Sequence, residues 1–228
     1  FKALVAAAQP LSQTSKNALT KRGLTEAHIE ELEALGFRDI EPGKTYGGAG
    51  VGRDQTGTYT GPAGFLIPSF RETADGIQYL GFQVAVHKVE DGGGKYVWMS
   101  RGAAAEDERA LQVVNADGTV DAAPLFAYRP QGVREINTVY VTDSSLKAYV
   151  TALRLQQGAL GAPGLQYTAS MNQLRLKLRE MVGENAELRI CLAADAGDTG
   201  NHQMMGALLN ASQTIQGWGY RLTWVDLK

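Results

Sequence analysis

Two short apolar runs in the C-terminal half each end in an aspartate, and each is followed by small polar residues and an apolar helical pattern. The first is Val139-Tyr140-Val141-Thr142-Asp143 with Ser144 and Ser145 behind it. The second is Leu188-Arg189-Ile190-Cys191-Leu192-Ala193-Ala194-Asp195, followed by Gly197, Asp198 and Thr199. Carboxylates at strand ends are the hard oxygen ligands that Mg²⁺ or Mn²⁺ takes, with substrate phosphates and water completing the shell. An ion on Asp195 with Asp143 or Asp198 would offset phosphate charge and orient a hydroxyl or water for phosphoryl transfer. Lys147, one helical turn on, could touch a phosphate, and His202 could add a ligand or be a polar surface residue. The plain alternative is structural: Asp143 and Asp195 end strands and cap the helices that follow.

The elements that must position these residues follow one alternating scheme. A strand at 139–142 leads to a helix at 144–157 with Leu146, Tyr149, Val150, Leu153 and Leu155 inward. A short strand at 159–161 follows. In 168–182 two periods compete: Leu174, Leu176 and Leu178 alternate like a strand, while Met171, Leu174, Leu178 and Met181 share one helix face. The longer window and the stop at Gly183 favour the helix. A strand at 188–193, a helix at 201–216 and a strand at 219–225 complete the series. Strands and helices in strict alternation predict an α/β domain over 125–228, a mostly parallel sheet covered on both faces. Such sheets bind ligands beyond the carboxyl ends of their strands.

Residues 1–124 read as a helical and β-rich region. Ser12 can cap a first short helix that Gly23 ends, and Thr25 a second with Ile29, Leu32 and Leu35 inward before Gly36. Glu26, Glu30, Glu31 and Glu33 make the second helix acidic, which opposes a helix-turn-helix role on phosphate and favours a packing module. Gly43-Lys44-Thr45 ends like a phosphate loop. Arg38 replaces the first glycine, however, and no helix follows, so the segment reads as a turn. Gly92-Gly93-Gly94-Lys95 fails the same test at Tyr96. Strands follow at 65–68, ended by Pro68, and at 79–86 after an Asp75-Gly76 turn. In the strand from Lys95 to Ser100, Lys95, Tyr96 and Trp98 could stack on single-stranded bases, the alternative being core packing of Trp98. Arg175, Lys177 and Arg179 are further basic candidates.

Bulk composition narrows the classes. At 44% hydrophobic and 20% charged residues the chain is an ordinary globular one, and 22 Lys plus Arg against 24 Asp plus Glu leave no global field that draws nucleic acid. Any such contact has to be local. A single cysteine, Cys191, excludes an internal disulfide framework and suits a reducing cytoplasm. No apolar run is long enough to cross a bilayer. The opening Phe1–Val5 is too short and poorly flanked for a signal peptide, and without Met it reads as excised from a longer chain.

Several further segments carry a family likeness when taken in order. They are Arg22-Gly23-Leu24 with Leu35-Gly36-Phe37-Arg38, Gly61-Pro62-Ala63-Gly64-Phe65-Leu66-Ile67-Pro68, and Gly81-Phe82-Gln83-Val84. Gly93-Gly94-Lys95-Tyr96-Val97-Trp98-Met99-Ser100, Leu146-Lys147-Ala148 and Asp195 with its strand complete the set. On these the chain resembles, from Leu11 nearly to its end, a Toprim-related family of unknown function from replication proteins of plasmids, phages and integrative elements. Toprim modules are shared by bacterial-type primases, topoisomerases and certain nucleases. The resemblance implies a primase-like nucleotidyltransferase or nuclease with Mg²⁺ or Mn²⁺, single-stranded DNA or RNA as partner, and a linked helicase domain. It also implies an acid/base role at Asp143, where the family has Glu, and metal ligation at Asp195 and Asp198, where it has Asp-x-Asp. Asp143 reaches about 1 Å less far than Glu, and Gly197 stands where the second Asp belongs. A retained metal site and a degenerate one that only binds nucleic acid or a helicase both remain open.

Overall fold

The computed structural model describes residues 1–46, 58–89, 93–99, 112–136, 138–163, 167–183, 189–195 and 202–227, with the backbone alone at 189–195, 203–204, 208 and 224–227. Asp198, the turn at 91–92 and residues 100–111 lie outside them. The chain divides into two compact units, Phe1–Gln112 and Val113–Lys228.

The first unit opens with three helices, α1 (Lys2–Ala7), α2 (Gln13–Thr20) and α3 (Glu26–Ala34). Ser12 caps α2 by accepting the Ser15 N–H, and Thr25 and His28 form a reciprocal capping box on α3. Glu33 accepts the Leu11 N–H at 2.9 Å and pairs with Lys16 at 3.3 Å, so an acid on α3 ties down the start of α2. An antiparallel sheet follows in the order β1 (Asp39–Ile40), β2 (Gly64–Thr73), β3 (Gly76–Val86) and β4 (Tyr96–Met99). Alternation along the strands sends Leu66, Phe82, Val84 and Met99 to one face, against Leu4, Tyr46 and Tyr59. Phe65, on the other face, packs on Phe37 with ring centroids 6.4 Å apart.

Pro68 does not end its strand; it lies inside β2 opposite Phe82. Among the described residues β1 pairs with β2 only at Gly64 and Phe65. Proline has no N–H to give to a ladder, so a strand interior holds it only where pairing on that side is not with its own N–H. A register shift at Ser69/Phe70 follows at once. The Gly-Lys-Thr segment is a turn: Gly43 donates its N–H to Tyr59, Thr45 bridges Thr58, and Lys44 pairs with Glu41 at 2.5 Å.

The second unit begins with a small hairpin, β5 (Val113–Val114) and β6 (Val120–Asp121). Then come β7 (Phe126–Tyr128), β8 (Thr138–Thr142), α4 (Ser145–Leu155) and β9 (Gly158–Gly161). A 3-10 turn at Tyr167–Ser170 leads into α5 (Met171–Val182), followed by β10 (Arg189–Asp195), α6 (His202–Gly217) and β11 (Arg221–Leu227). The sheet runs β11-β10-β8-β9-β7, with β11, β10, β8 and β9 parallel and β7 antiparallel to β9. The chain is therefore mixed α/β, with one sheet that is itself mixed.

Val139, Val141 and Leu160 point to the face where Leu174 and Leu178 of α5 and Ala211 and Ile215 of α6 close the core. Met171 and Met181 pack on its margin, so the helical period wins over the strand-like one in this segment. On the other face lies α4, whose Tyr149 meets Tyr128 of β7 with centroids 5.2 Å apart. Leu155, expected inward, is 49% exposed. It is the last residue of α4, and at Gln156, φ 52°, the chain turns away.

Candidate functional site

The strand order reverses between β8 and β10. From β8 the chain steps through α4 to β9 on one side, and from β10 through α6 to β11 on the other. Crevices at such reversals, beyond the carboxyl ends of the strands, are where open α/β sheets take ligands. Register pairs Thr142 with Ala193. Asp143 follows directly after β8 and Asp195 is the last residue of β10, so the two acid positions leave neighbouring parallel strands at the same end.

The end of β8 is held by groups from three directions. The Thr142 carbonyl accepts from the buried Tyr167 hydroxyl and from the Ala162 N–H at 3.3 Å. Thr142 Oγ1 lies 3.2 Å from the Leu160 carbonyl and 3.0 Å from that of Ser144, in reach of both. Burial raises the Tyr167 pKa well above its ordinary value; a backbone bond at Ala162 opposes this and the nearby charge of Asp143 adds to it. The phenol therefore stays protonated and keeps donating. Ser144 is the N-cap of α4, accepting the Lys147 N–H, and this puts Lys147 over Asp143. The Lys147 Nζ sits 2.7 Å from Asp143 Oδ1 and 2.9 Å from Oδ2, with the carboxylate side chain only 13% exposed.

This arrangement bears directly on the implied Mg²⁺ or Mn²⁺. The cation position in front of both Asp143 oxygens is taken by the Lys147 ammonium, so a divalent ion there has to displace it. Among the described residues no group of three or more His, Cys, Asp or Glu side chains converges as a ligand set. Asp143 supplies two of the oxygens such an ion would take, and the ammonium now holds both. Asp195 is described in backbone only, Asp198 lies outside the described residues, and His202 is exposed at the first residue of α6.

The basic and aromatic candidates fall into separate places. Lys95 is exposed just before β4 in the first unit, and Tyr96 and Trp98, half-buried, share one face of β4 opposite Met99. Arg175 and Arg179 are exposed one turn apart on α5 of the second unit, with the Arg175 guanidinium 5.7 Å over the Trp218 ring. Lys177 projects elsewhere and pairs with Glu180 at 2.5 Å.

One cluster escaped the sequence reading because its members are far apart in the chain. Ser15 Oγ donates to Asp39 Oδ1 at 2.6 Å and lies 2.8 Å from His87 Nε2, while the Ser12 N–H donates to Asp39 Oδ2 at 3.1 Å. Since the serine gives its only proton to Asp39, His87 must be the donor to it. A hydrolytic triad needs the histidine between acid and serine. Here serine stands in the middle and is fully buried. The cluster ties α2 to β1 and the end of β3. Ser15→Ala should cost about 1–3 kcal/mol, the price of leaving a buried carboxylate oxygen without its donor, read as a lower denaturation midpoint; an unchanged midpoint contradicts the tie.

Compared with models of known protein families and with curated proteins, the chain matches none. Among the described residues no helix is long and apolar enough to cross a membrane.

Proposed function

We propose that the second unit is a Toprim-type module of a mobile-element replication protein that binds single-stranded nucleic acid at the reversal between β8 and β10. The observation that supports this most directly is the Asp143–Lys147 pair at that position. The carboxylate holds the ammonium at the mouth of the crevice, where a phosphate can be met by a preplaced cation without a metal. Lys147 is the phosphate contact, Asp143 its positioning partner, and Thr142 and Tyr167 keep the strand end in place. Arg175 and Arg179 make a separate basic patch on α5, whose last turn lies by the amino end of β9, and a helicase partner is the reading for that patch.

A second reading, metal-dependent phosphoryl transfer of the primase or nuclease type, is favoured by the adjacency of the Asp143 and Asp195 positions. It requires Lys147 to leave Asp143 so that Mg²⁺ or Mn²⁺ can be held there with Asp195. Titration of a labelled single strand with and without EDTA separates the two. On the first reading, binding weakens steeply with salt, ignores EDTA, and falls about tenfold in Lys147→Ala, the loss of one charge-assisted contact. Primer synthesis or cleavage that needs Mg²⁺ or Mn²⁺ and is lost in Asp195→Asn would replace it with the second. No binding to any single strand contradicts both.

A further inference from the structure

The first unit contains a cleft of about 500 Å³ whose lining includes Lys2 of α1, Arg38, and Tyr79 of β3. Its remaining walls are apolar, among them Val5, Pro10 and Ile77, and among the described residues no acidic one lines it. Lys2 is exposed and Arg38 half-buried, and among the described residues neither has a carboxylate partner. Arg38 is half-buried and anchored by one end only: Nη1 donates to the Glu33 carbonyl at 2.5 Å and the Phe37 carbonyl at 2.8 Å. This leaves the Nε–Nη2 edge, the edge that matches two oxygens of an oxyanion, without an acceptor among the described residues.

The Tyr79 hydroxyl completes the set. Its place is made by Gly36, which has φ 101° and whose absent Cβ would lie 2.5 Å from the Tyr79 oxygen. Burial raises the Tyr79 pKa while Arg38 nearby works against that, and the hydroxyl stays a neutral donor. Among the described residues it too has no hydrogen-bond partner.

A free guanidinium edge, an exposed ammonium and a phenol hydroxyl, carrying two positive charges, therefore line one cleft that has an apolar wall and no acid among its described lining residues. We infer that this cleft binds a phosphate monoester with an apolar or aromatic body. The near-dianionic charge of a monoester matches Lys2 and Arg38 together better than a carboxylate does. The free guanidinium edge takes two of its oxygens, Tyr79 donates to a third, and Val5, Pro10 and Ile77 receive the body. This site is independent of the crevice between β8 and β10. The same group occurs on a small nucleotide and on the 5′-phosphate end of a nucleic acid strand.

Calorimetric titration of the 228-residue chain with phenyl phosphate tests the assignment. Submillimolar binding is expected, weakened about tenfold by Tyr79→Phe and by Lys2→Gln, each the loss of one donor to a charged group. Both substitutions leave the Arg38 anchor to α3 intact, and Lys147→Ala should change nothing. A short strand with a 5′-phosphate that binds more tightly than phenyl phosphate, when its 5′-hydroxyl counterpart does not, identifies a strand end. Tighter binding of a nucleoside 5′-monophosphate than of that strand identifies a small nucleotide. Three results overturn the inference: no binding at millimolar phenyl phosphate, affinity indifferent to both substitutions, or inorganic phosphate binding as well as the ester.

Discussion

Asp121→Ala should be among the most damaging single substitutions in the second unit, lowering its stability by about 3–4 kcal/mol through the loss of several buried hydrogen bonds to one charge. The side chain is 4% exposed. It accepts the Gln173 N–H at 2.7 Å, the Asn172 N–H at 3.1 Å, and side-chain amides of Asn115 at 2.9 Å and Asn172 at 3.1 Å. Helix α5 has no side-chain cap of its own at Ser170. An acid from β6 supplies it from across the fold, satisfying two orphan N–H groups in the first turn and meeting the positive end of the helix. The measurement is urea unfolding followed by circular dichroism, with a midpoint about 1–2 M lower and an unchanged slope. Asp121→Asn, which keeps one acceptor oxygen, should fall between the two. A midpoint within error of the parent would mean that α5 is capped in some other way.

Gly161→Ala should be comparably costly and should also reach the candidate site. A Cβ there would lie 2.3 Å from the Ser144 carbonyl oxygen and 3.0 Å from the Ala148 Cβ. The obstacle is backbone, and that carbonyl already accepts the Ala148 N–H at the start of α4. Either β9 or the first turn of α4 must shift, at about 2–4 kcal/mol, the upper range for overpacking. Because the first turn of α4 carries Lys147 and follows Asp143, the proposed nucleic-acid binding should weaken beyond what the lost stability explains. Gly206→Ala is the contrast. It lies inside α6 with nothing within 4 Å of its would-be Cβ, so the substitution should stabilise by about 0.5–1 kcal/mol. Equal effects from the two alanines would refute the close-approach argument for Gly161.

Much of the second unit is legible in the chain itself, because each parallel strand and each covering helix states its own period. Val139 and Val141 are apolar in a β-branched run, and Met171, Leu174, Leu178 and Met181 recur at helical spacing. Local chemistry also names the caps at Ser12 and Thr25, since a cap lies next to the N–H groups it serves; at α4 the cap is Ser144 and not the Asp143 that the sequence offered. These features depend on neighbours within one turn, and sequence displays neighbours.

What the chain cannot display is pairing between distant segments. Strand order is one instance: alternation of strands and helices gives β8, β9, β10 and β11, but only the fold puts β10 beside β8 and so brings the Asp143 and Asp195 positions to one reversal. Asp121 is another, an acid in a stretch without a readable pattern that becomes the cap of a helix fifty-one residues on. Ser15, Asp39 and His87 meet, and Lys2, Arg38 and Tyr79 line one cleft, for the same reason. Sequence determined that Asp143 ends a strand and that Lys147 stands one turn behind it. Tertiary structure decided that the two face each other at the reversal of the sheet, where the charge of the carboxylate is already answered by the ammonium.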